Sequence, residues 1–221
     1  MRAVDGVWHV LGRTLHWRLG RCPGGRGGAS ATAYRWVEEV VTARALFEWA
    51  GYAPQDGGKP RFAATPDADF SVAHSGDVVL VAVGTGVQVG ADVEAAPFAA
   101  FDSPALTRRM CTGAETAALR AVPAPDRADA AASLWTAKEA FVKALGEGLR
   151  RDVRTVPVGL SAVDLRPAGV ARAIGHLAAQ VGDVVHLARL AVERGEVRLE
   201  PRPVPVRASL PASDALLGSP A

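Results

Sequence analysis

Two short stretches of the sequence carry carboxylates and ammonium groups at spacings that suit phosphate chemistry. In residues 89–94, Val-Gly-Ala-Asp-Val-Glu, apolar and polar positions alternate, and this pattern predicts a β-strand. Because alternate side chains of a strand share a face, Asp92 and Glu94 project together, roughly 6.5 Å apart. Residues 135–143, Trp-Thr-Ala-Lys-Glu-Ala-Phe-Val-Lys, are typical of a helix that places Glu139 and Lys143 opposite its apolar stripe.

These side chains could hold one magnesium ion against a phosphoanhydride. Magnesium binds a few carboxylate oxygens and completes its octahedron with water and phosphate oxygens, and this neutralises the phosphate for nucleophilic attack. Asp92, Glu94 and Glu139 could supply the carboxylates. Lys138 and Lys143 flank Glu139 and are two of only three lysines in the chain. A compact ammonium is a good point-charge partner for phosphate oxygens.

Each stretch also has a simpler interpretation. Glu139 and Lys143 stand four residues apart, and on an exposed helix such a pair forms an ordinary surface ion pair worth a few tenths of a kcal/mol. Asp92 and Glu94 could be the polar face of an exposed edge strand, since edge strands often carry charges. The residues alone leave both alternatives open.

Composition narrows the class of protein. The chain has 221 residues, is 49% hydrophobic and carries a net charge of +2, which fits a globular protein and argues against a duplex nucleic-acid binder. No apolar run is long enough for a membrane span, and Asp5 and His9 interrupt any signal-peptide core, so we expect a cytoplasmic protein with no membrane partner. Cys22 and Cys111 lie far apart, and we expect two reduced thiols.

The chain predicts an α+β fold with two similar halves, residues 1–86 and 87–200, followed by a mobile tail at 201–221. A glycine-rich loop at 20–30 does not match the dinucleotide fingerprint, because no strand clearly precedes it and no acidic residue follows at the right distance. The predicted elements are a helix at 31–50, a central hairpin of strands at 78–84 and 87–94, helical regions at 103–122 and 128–145, and strands at 184–192 and 196–200.

Two further motifs match no common catalytic signature. The loop at Lys59 is not a phosphate-binding Walker loop, because Ala53 replaces the first glycine and Pro60 replaces the Ser or Thr. The segment around His74 and Ser75 is not a hydrolase elbow, because Ala73 occupies the first glycine position.

Taken together, the motifs resemble those of the Sfp-type 4'-phosphopantetheinyl transferases. That family has a Gly-Lys-Pro loop, a Ser-His-Ser segment, a Gly-Ile-Asp-Ile-Glu strand, and a Trp-Ser-x-Lys-Glu-Ala-x-x-Lys helix followed by Gly-x-Gly. Here the same order appears at residues 58–60, 73–75, 90–94, 135–143 and 146–148. The likeness runs from about residue 35 to 150.

The resemblance implies two similar α+β halves, related by a pseudo-twofold axis, with a cleft for coenzyme A and a metal between them. It also implies a reaction, the magnesium-dependent transfer of the phosphopantetheine arm of coenzyme A to a serine of an apo acyl or peptidyl carrier protein. The other product is 3',5'-ADP. The carrier could serve fatty acid, polyketide synthase or nonribosomal peptide synthetase pathways, and members of this length act as monomers.

The resemblance also assigns roles to residues. Asp92, Glu94 and Glu139 would bind magnesium, with Glu139 also a candidate base for the carrier serine. Lys143 would neutralise the pyrophosphate, with Lys138 in support.

The same resemblance places coenzyme A contacts at Lys59, Pro60, His74, Ser75 and Arg35. Lys59 and its loop would lie against the adenosine end, and His74 and Arg35 would meet the 3'-phosphate. The family usually has a serine at position 73, and the alanine here would remove one possible hydrogen bond to a phosphate. The alternatives are a magnesium-dependent phosphohydrolase and a non-catalytic coenzyme A-binding protein.

Overall fold

The computed structural model describes residues 2–53, 58–156, 158, 171–193, 196–201 and 206–207, and it describes their side chains except at 149, 171, 206 and 207. The first half builds one antiparallel sheet with strand order β1-β2-β4-β3 and one long helix. Its elements are β1 (Val4–Val10), β2 (Arg13–Arg21), α1 (Ala29–Ala43), β3 (Ala68–Ser75) and β4 (Val78–Thr85).

The second half builds another antiparallel sheet, with strand order β5-β6-β7-β8, and β9 pairs with the start of β7. Among the described residues, three α-helices lie between its first and second strands in the sequence. The elements are β5 (Gln88–Ala95), α2 (Pro104–Met110), α3 (Gly113–Ala121), α4 (Ala124–Leu145), β6 (Ala171–Val181), β7 (Val184–Glu193), β8 (Glu196–Pro201) and β9 (Val206–Arg207).

The elements stack in four layers, which are α1, the first sheet, the second sheet and α4. Each interface between layers has its own hydrophobic cluster, and burial of these apolar surfaces is the main force that holds the layers together. The clusters are represented by Trp36 and Val81 under α1, Trp17 and Leu177 between the sheets, and Phe141 and Leu187 under α4. The α+β prediction is confirmed, while the pseudo-twofold relation and the domain bounds at 86 and 200 stay predictions.

The first hairpin, β1 and β2, is absent from the sequence prediction. The glycine-rich loop does follow a strand, because β2 ends at Arg21, so one of the two reasons given against a dinucleotide loop was wrong. The other reason, the lack of an acidic residue at the right distance, is unaffected. The signal is present in the sequence. Leu15, Trp17 and Leu19 are buried while the residues between them are more exposed, and this alternation is the two-residue period of a strand.

The first helix is shorter than predicted, since α1 ends at Ala43 rather than near residue 50. The residues that follow leave the helix and build an aromatic cluster. In this cluster Phe47 and Trp49 make edge-on ring contacts with Phe62 and Tyr52, at centroid distances of 4.9 and 5.1 Å. Contacts with residues further along the chain therefore override the local helical pattern.

The predicted central hairpin is also wrong. The β4 strand and the turn at Gly86 exist, but β4 pairs with β2 and β3 whereas β5 pairs with β6 in the other sheet. The predicted helical region at 103–122 divides into α2 and α3, because Thr112 caps α3 in a reciprocal capping box with Glu115.

Four smaller predictions have mixed outcomes. Helix α4 begins at Ala124, four residues before the predicted start. Cys22 and Cys111 are both free thiols. Within the described part of the chain, no helix combines the length and the apolar character that crossing a membrane requires. The predicted mobile tail lies outside the described residues, except for Pro201 and residues 206–207.

Candidate functional site

The candidate site lies along a seam between β3 and β5, the neighbouring edge strands of the two sheets. Side chains rather than a main-chain ladder join these edges. The carboxylate of Asp69 accepts a hydrogen bond from the Val89 amide at 2.6 Å, and Ser71 Oγ accepts one from the Ala91 amide at 2.9 Å. The alternate side chains of β3 thus satisfy main-chain donors of β5 that face away from β6.

Further along the seam, Ser75 Oγ donates to Glu94 Oε2 at 2.6 Å. Ser75 therefore orients one of the predicted metal ligands. The sequence prediction had assigned this hydroxyl to coenzyme A. In the structure this hydroxyl bonds to the Glu94 carboxylate, and its contact with coenzyme A stays a prediction.

On the other face of β5, helix α4 comes unusually close. A Cβ atom at Gly90 would stand 1.8 Å from the carbonyl oxygen of Ala140 and 2.7 Å from the amide nitrogen of Ala144. Only glycine permits this approach, and the Gly-x-Asp-x-Glu pattern of β5 therefore has a packing reason at its first position.

This approach brings Lys143 of α4 to Asp92 of β5. Lys143 Nζ donates to Asp92 Oδ1 at 2.6 Å. Asp92 is only 8% exposed, whereas the Lys143 side chain is 31% exposed, so the carboxylate is shielded and the lysine reaches the surface. The surface ion pair with Glu139, considered from the sequence, is wrong, because Lys143 pairs across to Asp92 of the sheet instead.

Burial raises the pKa of all three predicted metal ligands above the ordinary carboxyl values. Burial raises the pKa of Asp92, and the nearby Lys143 ammonium opposes this rise. For Glu94, burial is again the largest cause of the raised pKa, the Ser75 hydrogen bond opposes it, and the Asp92 charge adds to it. For Glu139, burial and then Asp92 raise the pKa, while Lys143 and Arg109 oppose the rise. Glu94 and Glu139 therefore both sense the charge of Asp92, and Glu139 also senses that of Glu94.

A cation would relieve this mutual repulsion. Asp92 Oδ2 is buried and has no hydrogen-bond partner among the described residues, so one oxygen is available to a ligand. The described residues contain no preformed group of three His, Cys, Asp or Glu side chains with metal-binding geometry. The donor set nevertheless suits magnesium, which uses few protein ligands and keeps several waters.

Lys59 lines a cavity next to the carboxylates, although its ammonium is already engaged. Its Nζ donates to the Asp69 carboxylate and, at 2.5 Å, to the Val89 carbonyl, and burial lowers its pKa. The cavity has a volume of about 930 Å³. The loop of residues 58–60, Lys143 and the loop of residues 146–148 all line it, so the structure brings these predicted motifs together.

Arginines that the sequence prediction did not single out line a second cavity of about 480 Å³, which also includes Glu139 and Lys143. Two of them are already paired, Arg151 with Glu147 at 2.7 Å and Arg154 with Asp152 at 2.6 Å. The other two belong to α2. The sequence contained a signal for this arginine-lined cavity, because arginines cluster before and after the helix that carries Glu139. The four are Arg108, Arg109, Arg151 and Arg154.

Lys138 does not join the carboxylates, and the role predicted for it is corrected. Its side chain is fully buried, and Nζ donates to Glu115 Oε2 at 2.8 Å, to the Met110 carbonyl at 2.9 Å and to the Val153 carbonyl at 3.3 Å. All three donors of the ammonium are thereby satisfied. Lys138 ties α2, α3 and the segment after α4 to α4, and its ammonium bonds to none of the three predicted metal ligands.

The residues predicted to meet the 3'-phosphate are accessible. His74 is exposed at the end of β3, on the strand face of Phe70 and Val72, and these two pack toward α1. Arg35 of α1 is 58% exposed and pairs with Glu39 at 3.4 Å.

The side chain at position 73 faces the other way from His74. Ala73 is buried in the cluster between the two sheets. A serine at this position would therefore lie in the core and would not contact a phosphate beside His74.

The segment that carries the three carboxylates has a family match. Residues 88–182 match the family model described as the 4'-phosphopantetheinyl transferase superfamily. This segment belongs to that superfamily. The sequence resemblance is thereby confirmed. The phosphopantetheinyl transferase match includes Asp92, Glu94, Glu139 and Lys143, whereas Lys59 lies outside it.

Curated phosphopantetheinyl transferases are similar to part of the chain. A 4'-phosphopantetheinyl transferase of Bacillus subtilis is 32% identical over 98 residues, which are 44% of this chain and 42% of that protein. A putative 4'-phosphopantetheinyl transferase of Synechocystis is 33% identical over 103 residues, 44% of this chain and 39% of that protein. The L-aminoadipate-semialdehyde dehydrogenase-phosphopantetheinyl transferase of Eremothecium gossypii is 34% identical over 106 residues, 46% and 38% of the two chains. The chain thus matches about two fifths of the length of each of these relatives.

Proposed function

We propose that this protein transfers the 4'-phosphopantetheine arm of coenzyme A to a serine hydroxyl of an apo carrier protein and releases 3',5'-ADP. The observation that carries the proposal is the Asp92 carboxylate, buried in the superfamily segment. One of its oxygens binds Lys143, and the other has no hydrogen-bond partner among the described residues. The names of the curated relatives support the same reaction.

In the proposed reaction, the serine oxygen forms a bond to the phosphorus that carries the pantetheine arm. The anhydride bond at that phosphorus breaks, and 3',5'-ADP leaves with its electron pair. The serine proton passes to a base. Glu139 is the candidate base, because it lines the same cavity as Lys143, the residue proposed to contact the pyrophosphate, and a carboxylate within reach of the serine hydroxyl could accept its proton.

Asp92, Glu94 and Glu139 are the residues that would hold magnesium. When bound, the ion supplies charge neutralisation at the pyrophosphate oxygens. Ser75 would then act on Glu94, as its hydrogen bond fixes the orientation of that carboxylate.

Coenzyme A is proposed to lie in the cavity shared by Lys59, Pro60 and Lys143. Lys143 would contact the pyrophosphate, since its ammonium lies within hydrogen-bonding distance of Asp92 and also lines the cavity. The loop at Lys59 would lie against the adenosine end. His74 and Arg35 stay proposals for the 3'-phosphate, supported by their exposure.

The test is to incubate the protein with coenzyme A, magnesium and an apo carrier protein, and to weigh the carrier by intact-mass spectrometry. We expect the carrier to gain one phosphopantetheine, and we expect EDTA or Asp92→Asn to prevent the gain. Asp102→Asn is the matched control, because Asp102 is an exposed carboxylate on the same half of the molecule.

Each other outcome contradicts the proposal in a distinct way. Loss of coenzyme A without any gain in carrier mass would indicate a phosphohydrolase. Binding of coenzyme A with neither change would indicate a non-catalytic binding protein.

A further inference from the structure

Four polar residues lie in register across the second sheet. Asp92 of β5 pairs with His176 of β6, His176 pairs with Arg189 of β7, and Arg189 pairs with Glu200 of β8. Directly opposite residues of antiparallel strands project from the same face, with Cβ atoms about 5 Å apart. The row therefore begins at the predicted metal ligand Asp92 and extends across the strands on one face of the sheet.

That face is the one covered by α4. His176 lies between Ile174 and Ala178, and both pack in the hydrophobic cluster of α4. His176 and Arg189 are only 0% and 2% exposed. Burying polar residues in an otherwise apolar interface costs desolvation free energy unless they are hydrogen-bonded. Hydrogen bonds between this row and α4 therefore help to hold the helix on the sheet.

One hydrogen bond connects the row directly to α4. His176 Nδ1 lies 2.9 Å from Thr136 Oγ1. Thr136 Oγ1 also lies 3.0 Å from the Ala132 carbonyl and 3.1 Å from the Ser133 carbonyl. A hydroxyl has one proton, and here the helix carbonyls accept it, so the arrangement assigns the Nδ1 proton to His176 as donor to Thr136.

Two contacts therefore fix α4 on either side of Glu139. Thr136, three residues before Glu139, is bonded to His176, the cross-strand partner of Asp92. Ala140, the residue after Glu139, meets β5 at Gly90, two residues before Asp92. Neither contact involves a predicted metal ligand. Together they determine how far the Glu139 carboxylate stands from the Asp92 carboxylate.

We infer that His176 and Thr136 are positioning residues that set the spacing of Asp92 and Glu139 for a divalent cation. The inference rests on the proposed function only for the identity of the cation site. Residues that hydrogen-bond directly to metal ligands typically change metal affinity about 10- to 100-fold when they are altered. The bond between His176 and Thr136 is one contact further from the ligands, so we expect an effect at the lower end of that range. The hydrogen bond between His176 and Thr136 should therefore affect cation binding more than coenzyme A binding.

The direct test measures Mn²⁺ affinity by electron paramagnetic resonance, with neither coenzyme A nor carrier present. Thr136→Val keeps the side-chain shape and removes the hydroxyl, and we expect it to weaken Mn²⁺ binding about 10-fold. Thr136→Ser keeps the hydroxyl and should stay within about twofold of the unsubstituted protein.

Ser133→Ala is the matched control. Ser133 lies on α4 one turn before Thr136, is 1% exposed, and its hydroxyl has no hydrogen-bond partner among the described residues. Its loss should leave Mn²⁺ affinity unchanged. Equal weakening by Ser133→Ala and Thr136→Val would point to general packing and would overturn the inference, as would unchanged affinity in a folded Thr136→Val protein.

A second pair of variants changes His176, the other partner of the hydrogen bond with Thr136, and tests whether its Nδ1 is the donor. The amide nitrogen of asparagine can occupy the position of Nδ1, whereas that of glutamine corresponds to Nε2. We expect His176→Asn to retain more Mn²⁺ affinity than His176→Gln at equal thermal stability. The reverse order would contradict the donor assignment.

Failure of this inference and failure of the proposed function are distinguishable. A carrier that gains phosphopantetheine while Thr136→Val binds Mn²⁺ normally would leave the function intact and remove the positioning role. The reverse result is also possible: Thr136→Val weakens Mn²⁺ binding, but the unsubstituted protein transfers nothing to any apo carrier. That result would keep the positioning role and remove the proposed function. Absence of Mn²⁺ binding to the unsubstituted protein would overturn the positioning role directly.

Discussion

Gly90 of β5 lies against the Ala140 carbonyl of α4, so close that a Cβ atom would stand 1.8 Å from the carbonyl oxygen. No flexible side chain is involved, and the backbone of α4 itself would have to move. The distance between strand and helix at this point therefore determines the distance between the carboxylates that they carry.

The first prediction concerns this contact. Gly90→Ala should displace α4, lower the free energy of unfolding by about 1–3 kcal/mol and reduce transfer more than 10-fold. Urea unfolding and the carrier mass assay measure the two effects. Gly113→Ala is the control, because a Cβ atom there meets nothing within 4 Å, and it should be neutral or stabilising. An active, fully stable Gly90→Ala protein would show that the close contact is not required.

The second prediction concerns Lys143. Lys143→Ala removes the ammonium from Asp92 and from the coenzyme A cavity, and we expect kcat to fall roughly 10²-fold with a rise in KM for coenzyme A. Lys143→Arg keeps the charge and should be affected less. Steady-state kinetics with each substrate varied in turn separates the effects. A change confined to the KM for the carrier would contradict the assigned role.

The third prediction is an increase in stability when Glu139 is replaced by glutamine. Burial and Asp92 raise the pKa of Glu139 in the fold, so the folded state retains a proton that the unfolded chain has released. Ionised Glu139 therefore destabilises the metal-free fold as pH rises above the ordinary value of 4.5.

Glu139→Gln should accordingly abolish transfer and raise the Tm of the metal-free protein. The difference in Tm from the unsubstituted protein should grow between pH 4.5, the ordinary glutamate value, and about pH 7. Scanning calorimetry in EDTA at several pH values measures it. A constant difference across this range would mean that the charge of Glu139 does not destabilise the fold.

The fourth prediction concerns Lys138. Lys138→Met leaves the buried Glu115 carboxylate without its ammonium partner, and we expect a loss of about 3–5 kcal/mol in the free energy of unfolding. Adding Glu115→Gln should recover part of the loss, because it removes the unpaired charge. Urea unfolding of the single and double variants measures this coupling. A stable Lys138→Met protein with a selective defect in coenzyme A binding would instead restore the role predicted from the sequence.

The sequence predicts which side chains of β5 share a face, but it does not predict where the two lysines of α4 lie. Asp92 and Glu94 share a face because a strand has a period of two, and this holds in almost any environment. Lys138 and Lys143 both belong to α4, but one enters the core and the other meets β5. That difference depends on which elements cover each side of the helix, and the helical period alone does not determine it.

In the fold too, some features follow from the local sequence and others depend on contacts between distant segments. The strand β4 follows from a continuous apolar run, and β7 and β8 follow from strand-like local patterns. The early end of α1 instead depends on aromatic residues that meet Phe62 and Phe70 later in the chain. The pairing of β5 with β6 likewise joins distant segments. A turn at Gly86 looks the same in the sequence whether the chain returns to its own sheet or enters another.

The seam between β3 and β5 also affects local opening. The amides of Val89 and Ala91 bond to side chains of Asp69 and Ser71, so they can exchange with solvent when the two sheets separate slightly, without unfolding of either sheet. Their hydrogen exchange would report the integrity of the site independently of global stability. Cation or coenzyme A binding that tightens the seam would slow the exchange of these two amides before that of the sheet interiors.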